Sequence, residues 1–261
     1  MAERVGTLGI DLAAQAKQTA VCLLSWGNGQ AAIERLALGV DDAAILELIR
    51  TEEPAKVAID APFGWPAPFV AAVSQHASGG EWQAHAPQSL RLRATDLHVI
   101  AKTRQQPLSV SADKIAVTAF RCAGLLSELT KAGFAIDRAG DGLVVEVYPA
   151  AALRQWRMDP RGYKGDKPEP RVRRAKLVGD LADQLRAFLA LDEEQRALIG
   201  ASDHLLDALV CALLARAALR GVTLPVPADA RTLAAVEGWI ALPQADSLPK
   251  LGDAAGDARH P

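Results

Sequence analysis

Several things the sequence has little of narrow its chemistry. Aromatic residues make up only 5% of the 261 residues, and there are three cysteines. Cys22, Cys122 and Cys211 lie far apart in apolar stretches, with no CxxC or Cys/His spacing, which speaks against a zinc site or a disulfide scaffold. They read as buried thiols in a reducing compartment. No sign of charge dominates: 29 Lys and Arg stand against 31 Asp and Glu. Any contact with nucleic acid must therefore come from a local patch rather than from the field of the whole molecule. No uninterrupted apolar run is long enough to span a bilayer, and the opening MAERVGTLGID lacks the basic and apolar pattern of a signal segment. A cytoplasmic location without a membrane partner is the expectation. There is no Gly-rich phosphate loop and no internal repeat. Oligomeric state stays open, because Leu- and Ala-rich helical faces serve cores and interfaces alike.

What is present is a 50% hydrophobic chain, enough for one large core. Val5 to Leu12, Thr19 to Trp26 and Ala31 to Leu38 read as three strands joined by short turns, which makes an antiparallel meander. Asp41 to Glu52 has an acidic start and helical spacing of apolar residues, and it leads to the strand Lys56 to Asp60. A helical crossover gives a parallel pairing, so the chain opens β-β-β-α-β. From 61 to 110 prolines multiply and long periodic runs cease, as in an inserted lid. Asp113 to Ala132 reads as an amphipathic helix, Leu143 to Tyr148 as a buried strand, and Lys176 to Leu191 as a helix. Ser202 to Arg220 reads as a helix whose uncharged centre must pack against the sheet over most of its circumference. The expected organisation is one domain over 1–243 and a disordered tail over 244–261.

Acidic residues recur where burial ordinarily excludes them. Asp11 ends GTLGID, Asp60 ends KVAID, Glu146 interrupts VVEVY, and Asp203 and Asp207 open the apolar last helix. In an open α/β sheet, the carboxyl ends of neighbouring strands converge on one crevice, which would bring Asp11 and Asp60 together. Carboxylates crowded there repel one another, and a hard divalent cation such as Mg²⁺ or Mn²⁺ removes the conflict. Asp203 and Asp207 lie one helical turn apart on a shared face, and His204 with Asp207 gives an alternative pair; spacing does not choose between them. Each residue alone has a plainer reading: Asp11 as a turn residue, Asp203 as a helix cap, Glu146 as the polar end of a strand. Asp207 is harder to dismiss, since a carboxylate beside eight uncharged residues is costly to bury unpartnered.

The segments GIDLA, AIDAPFGWP, RLRATD with PLSVSADKI, EVYPAAALRQW with GYKG, SDHLLDALVCALLARA and EGWIALP occur in an order that resembles domain of unknown function 429. That family consists of predicted nucleases with a ribonuclease H-like fold. The resemblance covers about Leu8 to Pro243. It implies an α/β fold with a mixed five-stranded sheet, order 3-2-1-4-5, strand 2 antiparallel, flanked by helices. It also implies divalent metal held by Asp11, Asp60 and Asp203 or Asp207, with Glu146 in the EVYP segment.

The reaction expected of such a cluster is phosphodiester hydrolysis by two Mg²⁺ or Mn²⁺ ions, with Asp11 bridging them. The substrate would be a nucleic acid of undetermined type. Arg154 to Lys176 carries nine basic residues against three acidic ones, and Arg154, Lys164 and Arg171 are its candidate phosphate contacts. Arg93 with Asp96, and Lys114, form either a second polar layer beside the site or a structural ion pair. Trp65, Trp82 and Trp156 are candidate stacking residues or packing residues. Two rival classes are a catalytically inactive binding module of the same fold and an actin-like phosphotransferase or ATPase. The latter needs a second copy of the domain, for which the chain has little room.

Overall fold

The computed structural model describes residues 4–83 and 86–253. Its central strand β1 (Val5–Asp11) is buried along almost its whole length, as a strand flanked by two neighbours and two helical layers must be. β2 (Ala20–Gly27) runs antiparallel to it, and β3 (Gln30–Leu38) returns through the turn at Asn28 and Gly29. Both turn residues have positive φ, 53° and 73°, as the tight hairpin turn requires. Helix α1 (Asp42–Glu52) starts where the Asp41 carboxylate accepts the amide of Ala44 at 2.8 Å. It carries the chain back to β4 (Lys56–Ile59), parallel to β1. The next segments are helical: α2 (Ala67–Ala77), α3 (Pro87–Arg91), α4 (Ala94–Thr103) and the long α5 (Ile115–Lys131). β5 (Val144–Glu146) then adds in parallel beside β4, which completes a five-stranded mixed sheet in the order β3-β2-β1-β4-β5.

The pleat sends alternate residues to two different cores. Leu8, Ile10, Val21, Leu23, Val57 and Ile59 meet the buried faces of α1 and α5. On the other face, Ala20, Cys22, Leu24 and Trp26 meet helices from the second half of the chain. These are α6 (Pro149–Gln155), α7 (Pro168–Leu185), α8 (Glu193–Ala201) and α9 (Asp203–Leu219); α10 (Arg231–Glu237) follows. All residues from Leu205 to Ala217 of α9 are buried, as its uncharged centre demands. The three cysteines are buried and unpaired. Among the described residues, no single helix is long and apolar enough to cross a membrane.

Three boundaries differ from the sequence reading. The supposed lid over 61–110 is largely helical and contributes Val99 and the buried side chains of Arg93, Thr95 and Asp96. The helix expected from Lys176 begins at Pro168, because proline at the first helical turn loses no needed hydrogen bond, and it ends at Leu185. Residues 244–253 are not a disordered tail. Leu248–Gly252 form a short 3-10 helix, Leu248 and Leu251 are buried, and Ser247 Oγ accepts the indole N–H of Trp156 at 3.0 Å. The remainder of the expected tail, 254–261, lies outside the described residues.

Candidate metal centre

Asp11 is the last residue of β1, and Asp60 is the first beyond β4. Ile10 pairs with Ile59, and the Asp60 amide donates to the Ile10 carbonyl at 2.9 Å, so parallel register sets the two carboxylates side by side. The third comes from α9, and Gly9 decides how closely that helix approaches. A Cβ at Gly9 would sit 2.1 Å from the Ala212 nitrogen and 2.2 Å from the Ala208 oxygen, so only glycine lets helix and strand backbones touch. Thr7 Oγ1 donates to the Ala212 carbonyl at 3.1 Å in the same contact. One turn into the docked helix, Asp207 reaches the strand ends. Asp11, Asp60 and Asp207 each offer an oxygen, and these atoms lie within 4.8 Å of one another.

Burial without enough counter-charge marks the electrostatics. Desolvation pushes the Asp11 carboxyl up to about 6, against the lowering effect of its hydrogen bond to His204. Desolvation likewise raises Asp60 well above the usual carboxylate range, with Asp11 and Asp207 adding to the effect and Lys164 opposing it. Hard carboxylate oxygens on three rigid elements are the donor set that Mg²⁺ or Mn²⁺ takes, and this triad could hold such an ion.

Three side chains surround the triad. His204 Nδ1 is 2.6 Å from Asp11 Oδ2, the Tyr163 hydroxyl donates to Asp207 Oδ1 at 2.6 Å, and Lys164 Nζ pairs with Asp207 Oδ2 at 2.7 Å. Burial would lower the Lys164 ammonium, but Asp207 and, more weakly, Tyr163, Asp60 and Asp11 hold it well above its ordinary value. The loop carrying Lys164 is pinned from both sides. Asp203 Oδ2 accepts the Gly165 amide at 2.8 Å, and Arg174 donates to the carbonyls of Tyr163 and Gly165 at 2.8 and 3.1 Å. Gly165 itself has φ of 103°, which side chains rarely adopt.

The sequence-level candidates thus separate. Asp207, not Asp203, joins Asp11 and Asp60; Asp203 lines the same cavity but holds the loop. Glu146 is not in the triad either. It lies 2% exposed at the end of β5, accepts the Phe63 amide at 2.9 Å, and takes two hydrogen bonds from Arg93 at 2.7 and 2.9 Å. Arg93 gives its other N–H groups to Asp96 and to the Glu237 carbonyl, so all its donors are committed and none is left for a substrate phosphate. Lys114 and Lys164 line the carboxylate cavity, of about 460 Å³; Arg154 and Arg171 are exposed but do not line it. Arg174 is fully buried, and Arg161, Arg173 and Lys176 are paired with Asp159, Glu169 and Asp180. Only Arg174 of the basic stretch is therefore built into the protein; the ion pairs of Arg161, Arg173 and Lys176 lie at the surface. Trp156 is core, Trp65 stacks on Phe120, and Trp82 is 51% exposed with His76 at its edge.

Tyr163, Gly9 and Glu237 are the functional or positioning residues that spacing alone did not single out. Glu237 is 2% exposed, and its two oxygens accept the amides of Ala67 and Ala94 at 2.8 Å each, capping α2 and α4 at once. The only signals were the GYKG, GID and EGW segments, which carry no chemistry by themselves.

The class these features define is an α/β protein with a buried acidic triad at the carboxyl ends of adjacent parallel strands. The chain belongs to the family described as protein of unknown function (DUF429), whose model matches residues 9–232. No curated protein and no solved structure matches it.

Proposed function

We propose that this protein is a divalent-metal-dependent phosphodiesterase of ribonuclease H-like architecture, acting on a nucleic acid or a nucleotide ester with Mg²⁺ or Mn²⁺. The observation that carries the reading is the convergence of Asp11, Asp60 and Asp207 at one sheet end. The strand order, with β2 alone antiparallel, supports the architectural part. Three carboxylates less the Lys164 ammonium leave a charge of −2, which one divalent cation balances; that favours a single ion over the pair expected from the sequence.

When bound, such an ion supplies Lewis-acid stabilisation of a phosphoryl group and a more acidic attacking water. The protein supplies the rest. Asp11, Asp60 and Asp207 would hold the ion on elements that cannot shift independently, since Gly9 locks α9 onto β1. Lys164, half exposed on a pinned loop, presents its ammonium to a non-bridging phosphoryl oxygen. His204, with Nδ1 on Asp11 Oδ2, keeps that oxygen in place and shares a hydrogen bond with it. The Lys164–Asp207 ion pair also favours a second reading, a binding module without turnover, because it supplies one counter-charge without any metal.

The test is a Mn²⁺ titration by calorimetry together with cleavage of single-stranded, duplex, hybrid and branched substrates. Wild type and Asp203→Asn should bind Mn²⁺, while Asp11→Asn, Asp60→Asn and Asp207→Asn should lose binding and cleavage together. Cleavage that survives Asp11→Asn and Asp60→Asn overturns the mechanism, and Mn²⁺ binding without cleavage of any substrate selects the binding module.

A further inference from the structure

We infer that a second cavity, adjoining the triad, receives a planar heterocyclic base, so that the substrate is a phosphate ester bearing a nucleoside. This rests on the proposed metal centre. The cavity is about 420 Å³, within the roughly 300–1,000 Å³ typical of small-molecule pockets. Its lining includes Tyr148, Pro62, Pro107 and Leu108, residues suited to a flat apolar body. The charged residues Arg93 and Glu146 at its lining satisfy each other, so the cavity's ionic groups toward a phosphate are confined to the side it shares with Lys164 and Asp60.

The phosphate has a place next door. Asp60 and Lys164 line both this cavity and the carboxylate cavity, so a base in one lies a short link from a phosphoryl group in the other. Two polar groups remain to read the edge of a base: the Tyr148 hydroxyl and the Gln105 side-chain amide line the cavity and have no hydrogen-bond partner among the described residues.

The experiment compares the affinities of thymidine 5′-monophosphate and inorganic phosphate for the full chain in Mn²⁺ by calorimetry. The nucleotide should bind about tenfold tighter or more, as base stacking implies. Ala150→Phe, which fills the cavity from α6, should bring that ratio near one. Gln105→Ala, at a partly exposed loop position that tolerates truncation, should lower it severalfold. Equal affinities in the wild type, or a ratio unchanged in both variants, overturns the inference. Thymidine alone separates it from the metal reading. Thymidine binding that Ala150→Phe abolishes, in a protein that fails to bind Mn²⁺, sustains the base cavity and sinks the metal centre; Mn²⁺ binding without any preference for the base does the reverse. Competition by single-stranded trithymidylate assigns the base to a strand end, and its failure to compete assigns it to a free mononucleotide ester.

Discussion

His204 Nδ1 lies 2.6 Å from Oδ2 of Asp11, at the mouth of a cluster in which every other carboxylate oxygen contact is made by buried groups or by Lys164. The hydrogen bond to Asp11 raises the imidazole above its ordinary value of 6.5, and burial opposes it only in part. In the metal-free protein the His204 ring should titrate above 6.5 when followed by NMR. In Asp11→Asn the titration should fall, because the hydrogen bond that outweighs burial is lost while only the weaker pull of Asp203 and Asp207 remains. An unmoved titration in that variant would dissolve the pairing.

Metal-free stability should fall as pH rises. The unfolded Asp11 carboxyl ionises near 3.8 and the folded one only near about 6, so between these values the unfolded chain releases its proton first and is favoured. Asp11 alone accounts for a loss on the order of 3 kcal/mol, complete above about pH 6. Asp60 is raised in the same direction, so Asp60→Asn should raise the urea midpoint of the metal-free protein at about pH 8 and leave it little changed at about pH 4. A midpoint lowered at both values would mean that Asp60 stabilises the fold rather than straining it.

Arg93→Lys keeps the charge but not the fork that serves Asp96, Glu146 and the Glu237 carbonyl. Leaving buried carboxylates under-satisfied should cost about 3–5 kcal/mol, read as a lowered urea midpoint. A variant as stable as the wild type would show the network to be dispensable.

The β1-β2-β3 meander, the crossover to β4 and the Asp11–Asp60 pair were legible because short buried strands, a tight turn and a helical crossover leave few topologies, whereas the full sheet order was implied only by the family resemblance. The choice of Asp207 over Asp203 was not. Both share a helical face, and the decision depends on where α9 meets β1, which is a contact between backbones at Gly9. Glu146 misled for a similar reason: a carboxylate at a strand end looks the same whether it faces a cation or an arginine 53 residues away in the chain. The basic stretch suggested phosphate contacts by its composition alone, which does not show that Arg154 and Arg171 lie away from the carboxylate cavity or that Arg174 spends its guanidinium on four backbone carbonyls. Leu248 and Leu251 were too few to announce a packed end.

The double cap made by Glu237 has a consequence for the order in which the molecule takes shape. Its carboxylate meets Ala67 and Ala94 across 170 and 143 residues of chain. During synthesis, α2 and α4 leave the ribosome long before the residue that closes their amino ends, and contacts of such wide separation form late. The wall they build beside Phe63 and Arg93 is therefore set only when nearly the whole chain has emerged, so a nascent chain halted before 237 would carry Asp11 and Asp60 on paired strands without the capped helices beside them.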